Sequence, residues 1–271
     1  MKEITNRELL QLQLDILRDV DSFCRSNGIE YFLVGGTGIG AVRHGGYIPW
    51  DDDIDIGMTR PNYDRFLSSF NGHYTNLVVY APELNWNYYA PYANVCDSRT
   101  ILFEQTNSHN GIDIGVKIDI FPYDPVPSNQ QTFESMRRKA KLLNALCYYK
   151  RHSLKSTSII SFRELAYTVF CKVFLLPRRY SSLQKALHRL TTSISWNEAE
   201  CLEKIVFPYS HNKPCRRELF ESYCDIPFEN LVLRNLKDHD TYLKSVFGDY
   251  MQLPPESQRI MNHGFKAFWK D

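Results

Sequence analysis

The chain has 271 residues, enough for one large domain or a domain with a substantial insertion. Its 32 Lys and Arg against 31 Asp and Glu leave almost no net charge, so there is no global attraction to a nucleic-acid backbone, any basic region must be local, and no nucleic-acid partner is expected. Aromatic residues make up 14% of the sequence, which argues against disorder. Seven cysteines, an odd number with no C-x-x-C pair, argue against a disulfide framework or a cysteine-based zinc site and for a reducing compartment. The polar first residues lack the apolar core of a signal peptide, and a cytoplasmic chain is expected.

Thr5-Asn6-Arg7-Glu8 reads as a capping box, followed by Leu9, Leu12, Ile16, Val20 and Phe23 at helical spacing and by Gly28 as a stop. The run Tyr31-Phe32-Leu33-Val34 predicts a short buried strand ending at Gly35-Gly36, with one or two helical turns over 37–44. Strict alternation in Asp53-Ile54-Asp55-Ile56 predicts a second strand. Thr59 would cap a helix with Pro61 in its first turn and Tyr63, Phe66, Leu67 and Phe70 on one face. Further strands are expected over 77–81, 89–95, 101–103 and 116–121, the last ending at Pro122. From 131 to about 189 the pattern is helical and basic, and the tail from Pro208 is mixed, with a helix over 241–247 closed by Gly248. The class is α+β, divided as 1–127 (core with the metal site), 128–205 (an added helical block) and 206–271 (a mixed segment completing the domain).

The chemistry concentrates at Asp51-Asp52-Asp53-Ile54-Asp55. On a strand, residues two apart face the same way, so Asp53 and Asp55 would project together while Ile54 and Ile56 anchor the other face. Paired carboxylates suit Mg2+ or Mn2+, which in turn hold phosphates; the plainer reading is a solvated acidic turn. Gly35-Gly36-Thr37, at a strand end before a helix, lets backbone approach a phosphate and offers helix N–H groups, although an ordinary tight turn looks the same. Two-metal phosphoryl transfer calls for a third carboxylate, and Asp119, flanked by Ile118 and Ile120, is the best candidate, with Asp113 and Asp124 as weaker ones.

A Gly-Gly strand end, a short helix and Asp-x-Asp on the next strand resemble the layout of nucleotidyltransferases. Residues 34–58 (VGGTGIGAVRHGGYIPWDDDIDIGM) are similar to the signature of the LicD family. Residues 118–124 (IDIFPYD) resemble that family's second block, and residues 247–251 with Pro254, Pro255, Arg259 and His263 its C-terminal block. The resemblance implies a nucleotidyltransferase fold with a mixed-sheet core, a CDP-alcohol donor, a glycan or lipid-linked glycan acceptor, and CMP as product. It also implies Asp53 and Asp55 as ligands of Mg2+ or Mn2+, with Asp119 as the third acid. Arg43 and His44 would neutralise donor phosphate or aid the leaving group, unless Arg43 pairs with the acidic run.

Many members of the family carry a Lys where this chain has Asn94; Lys117 is a candidate to compensate, or a surface strand residue. Arg259 and His263 share a helical face and read either as phosphate contacts or as a surface pair. Residues 159–176 are apolar but interrupted by Arg163, Glu164 and Lys172, so they are a poor transmembrane span. The segment 159–190 reads as a core-packing helix with a basic rim, or as a peripheral contact with the inner membrane face. Two rivals remain: transfer of NMP from an NTP on the same fold, and a non-catalytic glycan- or nucleotide-binding protein.

Overall fold

Helix α1 (Asn6–Ser26) starts where the side chain of Thr5 accepts from the Glu8 N–H at 3.3 Å and Glu8 accepts from the Thr5 N–H at 2.8 Å. The structure is a computed structural model and describes residues 1–103, 113–151, 169–170, 173, 179–207, 213–260 and 266–271. The expected apolar face of α1, Leu9, Leu12, Ile16, Val20 and Phe23, is buried, and the helix ends at Asn27 before Gly28 at φ 60°.

The main sheet contains β2 (Phe32–Leu33), β3 (Asp55–Thr59), β4 (Leu77–Tyr80), β5 (Ala93–Asp97) and β7 (Lys117–Val126) in the order β2-β3-β7-β5-β4. The β3–β7 pair is parallel and the other neighbours are antiparallel, so the sheet is mixed. Helices α2 (Gly35–His44) and α3 (Arg60–Ser69) flank β3 in sequence. Ile54, Ile56, Val95, Ile118 and Ile120 join α1 and Phe66 of α3 in one core. The other face carries Phe32, Phe121 and Tyr123, which pack with β8 (Cys201–Glu203) and α6 (His239–Phe247).

Three smaller assemblies tie distant segments to this frame. Strand β1 (Lys2–Ile4) and β6 (Thr100–Phe103) sandwich β12 (Lys266–Trp269). Strand β8 pairs with the end of β7 and with β9 (Cys215–Arg216). The hairpin β10 (Tyr223–Phe228) and β11 (Leu231–Leu236) reaches β2 through Asn235, whose Oδ1 accepts from the Leu33 N–H at 3.2 Å. Helices α4 (Gln130–Arg151) and α5 (Tyr180–Thr191) form the basic helical segment. On α5, Leu183, Gln184 and Leu187 are buried while Lys185 and Arg189 are exposed, so α5 itself is a packed helix with a basic rim. Most of 159–178 lies outside the described residues, and among these no helix is long and apolar enough to cross a membrane.

Several boundaries differ from expectation. The glycine pair is not a turn before a helix; it is the first turn of α2, which begins two residues early because Val34 already serves as N-cap. Strand β3 starts at Asp55, so Asp53 precedes the strand that was expected to hold it. Strand β5 starts at Ala93, and residues 88–92 form a loop. Strand β7 runs through Pro122 to Val126. The proline is tolerated because β5 pairs only as far as Ile120 and β8 begins at Asp124, leaving Pro122 with β3 alone as a neighbour.

Candidate active site

The parallel register of β3 and β7 sets Asp55 directly beside Asp119. The antiparallel register of β7 and β5 sets Asp119 directly beside Asn94. One row across three strands therefore reads Asp55, Asp119, Asn94, and the intervening isoleucines point into the core below. Asp53 stands just before the row and lines a cleft together with Lys117 and Asp119. Burial, then the charges of Asp53 and Asp119, push the Asp55 carboxyl well above the usual carboxylate range, while Lys204 and Lys117 oppose the shift.

The first turn of α2 packs against these carboxylates. Gly35 has φ 60°, and a Cβ there would lie 2.6 Å from Asp55 Oδ2. A Cβ on Gly36 would run into Asp51 Oδ2. The positive φ at Gly35 thus calls for glycine where the helix start meets Asp55, whereas a side chain at Gly36 would require the Asp51 carboxylate to move. The buried Thr37 accepts from the Asp55 N–H through Oγ1 at 2.8 Å, which fixes the beginning of β3.

Asn94 is fully buried, and its amide donates from Nδ2 to Asp119 Oδ1. Its Oδ1 accepts from the hydroxyls of Tyr88 and, at 3.3 Å, Tyr89. Lys117 Nζ donates to the same Asp119 oxygen at 2.7 Å. Lys204, only 3% exposed, places its ammonium 4.1 Å from the centre of the Phe121 ring, on the face that carries Asp119. Burial lowers the Lys204 pKa, and the charges of Asp55, Glu203, Asp119 and Asp53 resist that change. Tyr92 packs its ring on Phe121 at 4.3 Å and is raised in pKa by burial and by Asp119.

The remaining candidates separate from this row. Arg43 and His44 occupy the C-terminal end of α2, about 12 Å along the helix from Gly35. The Arg43 guanidinium donates to the carbonyls of Tyr250 at 2.7 Å and Gln252 at 3.4 Å, in place of the pairing with the acidic run that its position left open. Burial and the nearby Arg259 lower its pKa. Arg259 lies 5.5 Å from the Trp50 ring centre, and His44 meets the same ring at 6.2 Å. Arg43, His44, Arg259 and Trp50 thus form a second cluster. Arg259 falls at the end of a single 3-10 turn (Glu256–Gln258), not on the helical face it was expected to share with His263, and His263 lies outside the described residues. Asp113 is exposed, and Asp124 is committed to a bidentate pair with Arg60 at 2.6 and 3.0 Å.

Lys204 and the bracing of Asp119 by Asn94 were missed by sequence reasoning. Asn94 registered only as a missing lysine, and no local pattern marks Lys204, which reaches the site from 80 residues beyond Asp124. Among the described residues no three Asp, Glu, His or Cys side chains gather closely enough to hold a metal ion unaided. The donor set is two neighbouring carboxylates with a third beside them, all oxygen. Such a set suits Mg2+ or Mn2+ that arrives with a phosphate and completes its shell with phosphate oxygens and water.

A family model described as LicD/FKTN/FKRP, nucleotidyltransferase domain, matches residues 28–172, and the chain belongs to this family. Among individual relatives, the lipopolysaccharide cholinephosphotransferase LicD of Haemophilus influenzae is 28% identical over 99% of this chain and 99% of its own length. The human ribitol 5-phosphate transferase FKRP is 55% identical over 31 residues, 11% of this chain and 6% of that protein. The Saccharomyces cerevisiae mannosyltransferase regulator 4 is 27% identical over 124 residues, 43% of this chain and 10% of that protein.

Proposed function

We propose that this chain is a phospho-alcohol transferase with a nucleotidyltransferase-type core. It moves a phospho-alcohol such as phosphocholine from a CDP-alcohol to a hydroxyl of a cell-surface glycan or its lipid-linked precursor and releases CMP. The observation that carries this reading is the in-register pairing of Asp55 with Asp119 against the glycine turn of α2. Like charges placed side by side and partly desolvated are costly to a fold unless cations are meant to join them. The relatives agree in kind, since one is named as transferring phosphocholine and another ribitol 5-phosphate.

Mg2+ or Mn2+, held by Asp53, Asp55 and Asp119, would supply charge neutralisation for the donor diphosphate. The α2 N-terminus, through the backbone of Gly35, Gly36 and Thr37, borders the same position and favours an anion. Lys117 keeps Asp119 oriented, and Asp119 accepts the proton of the attacking hydroxyl or would position a metal that makes that hydroxyl more acidic. A new bond forms between that oxygen and the alcohol-bearing phosphorus, while the bond from phosphorus to CMP breaks and its electron pair leaves with CMP. The cluster of Arg43, His44 and Arg259 is assigned to further phosphate charge, with His263 beside it in sequence. Peripheral contact of 159–190 with the inner membrane face belongs to the same reading, and sedimentation with anionic vesicles tests it.

A screen of CDP-choline, CDP-ribitol and CDP-glycerol with candidate glycans and Mg2+ tests the reaction. CMP release that depends on the acceptor is expected. In parallel incubations with labelled NTPs, release of pyrophosphate would establish NMP transfer instead, and no unfolding-temperature response to Mg2+ or Mn2+ would favour a binding protein.

A further inference from the structure

The row of carboxylates is bordered from two directions. On the β3 side stands the first turn of α2. On the β5 side a segment from outside the family-matched region 28–172 enters, because β8 pairs Glu203 with Asp124 and the chain then turns, Ile205 N–H donating to the Glu203 carbonyl at 2.9 Å. Phe207 reaches the ring of Tyr92, just ahead of β5, at 6.5 Å, which fixes the direction of entry. Lys204 is carried in by this segment. Its ammonium lies over Phe121, two residues from Asp119 on the same strand face, and 5.8 Å from the Phe207 ring.

A lysine only 3% exposed carries an ammonium that is expensive to fold unless opposite charge meets it. In the structure the acidic groups of Asp55, Glu203, Asp119 and Asp53 oppose the effect of burial on it. Divalent cations on the same carboxylates would neutralise them, and the ammonium would then stand among cations. A phosphate oxyanion is the partner that restores the balance. Lys117 is the other lysine acting on Asp55, and it is held to Asp119 by a 2.7 Å ion pair. Asn94 is engaged by Asp119 and two tyrosine hydroxyls, which commit its amide to bracing the row.

We propose that Lys204 is a donor-phosphate ligand, binding a phosphoryl oxygen of a nucleoside diphosphate-linked donor and neutralising the charge left on the departing nucleoside monophosphate. The inference rests on the transferase reading above and adds a contact that the segment after β8 delivers. A lysine serving only to pack the segment on Phe121 would be indifferent to phosphate.

The test is calorimetric titration of the full chain, Lys204→Met and Lys204→Arg with pyrophosphate, CDP and cytidine, each with Mg2+ present. Loss of one charge-assisted hydrogen bond predicts that Lys204→Met binds pyrophosphate and CDP about 10- to 100-fold more weakly. Cytidine affinity should stay unchanged, and Lys204→Arg should remain close to wild type. Pyrophosphate affinity unchanged in Lys204→Met overturns the proposal, as does an equal loss for cytidine, which would mean damaged packing. Wild type that binds pyrophosphate but not CDP would sink the CDP-donor reading while the pyrophosphate arm still decides Lys204. Wild type that binds neither overturns both.

Discussion

Asp55 holds a carboxyl that folding discourages from ionising, since burial and the neighbouring charges of Asp53 and Asp119 all disfavour the carboxylate. Replacing it by Asn removes the repulsion and keeps the shape, so function and stability should move apart. Asp55→Asn is expected to lose turnover, to lose its thermal response to Mg2+, and to melt at or above the wild-type temperature in metal-free buffer. Differential scanning calorimetry with and without Mg2+ checks this, and a variant that melts well below wild type would make Asp55 a structural residue. Gly35 offers a complementary probe. Its positive φ costs a non-glycine residue roughly 1–2 kcal/mol, and an added methyl would press on Asp55 Oδ2 at 2.6 Å. Gly35→Ala should therefore impair turnover more than that modest destabilisation explains, read as activity per folded molecule.

At the scale of elements, α5 is coupled to the site through the loop before β5. Gln184 is 2% exposed and donates from Nε2 to the carbonyls of Tyr88 at 3.1 Å and Ala90 at 3.2 Å. Arg151 and Tyr180 both donate to the Tyr89 carbonyl. The Tyr88 hydroxyl then holds Asn94, and Asn94 holds Asp119. Asn94→Ala should lower kcat roughly tenfold or more by removing a hydrogen bond to a charged group, worth about 1.5–3 kcal/mol. Gln184→Ala should lower kcat in the same direction by less, with the donor KM little changed. Normal kcat in Gln184→Ala beside an impaired Asn94→Ala would show that α5 does not position the site.

This coupling also shows what was legible in the sequence. The acidic residues were, because Asp and Ile alternate over four adjacent positions and Asp119 repeats the pattern between isoleucines. The capping box of α1 and the Gly248 stop of α6 were legible for the same reason, each being a signal within a few residues. Strand β7 continued past Pro122 because tertiary pairing, not propensity, decides where a strand ends. The meanings of Asn94 and Lys204 are set by partners in other strands and in distant segments, so no window of sequence contains them. The hairpin β10–β11 belongs here too: Glu229, at φ 53° on its tip, accepts from the Tyr47 N–H at 2.9 Å and thereby holds the loop that leads into the acidic run.

Over the whole molecule, the far end of β7 is held by a buried charge network, distinct from the row at its near end. Arg60 pairs with the fully buried Asp124 and also meets Glu83 at 3.2 Å, which lies 3.4 Å from His188 of α5. Removing one partner of a buried pair strands the other charge, so Asp124→Ala should destabilise the chain by about 3–5 kcal/mol, measured by urea unfolding. Burial pushes the Glu83 carboxyl up, but the hydrogen bond from His188 and the charge of Arg60 outweigh it and leave the pKa below its ordinary value. A depressed folded-state pKa gives stability that is present above the unfolded value, near 4.5, and is lost as pH falls through the folded one. Glu83→Gln should accordingly flatten the loss of stability on acidification below that pH, and an unaltered acid limb would show that Glu83 does not contribute to it.

In the proposed reaction Asp55 and Asp119, neighbours across β3 and β7, serve the transfer of a phospho-alcohol. Mass spectrometry of an acceptor glycan incubated with a CDP-alcohol, Mg2+ and enzyme reads that event itself. Wild type should add one phospho-alcohol to the glycan, and folded Asp55→Asn and Asp119→Asn should add none. A glycan modified as readily by Asp55→Asn as by wild type, or one that gains a nucleoside monophosphate instead, would contradict the account.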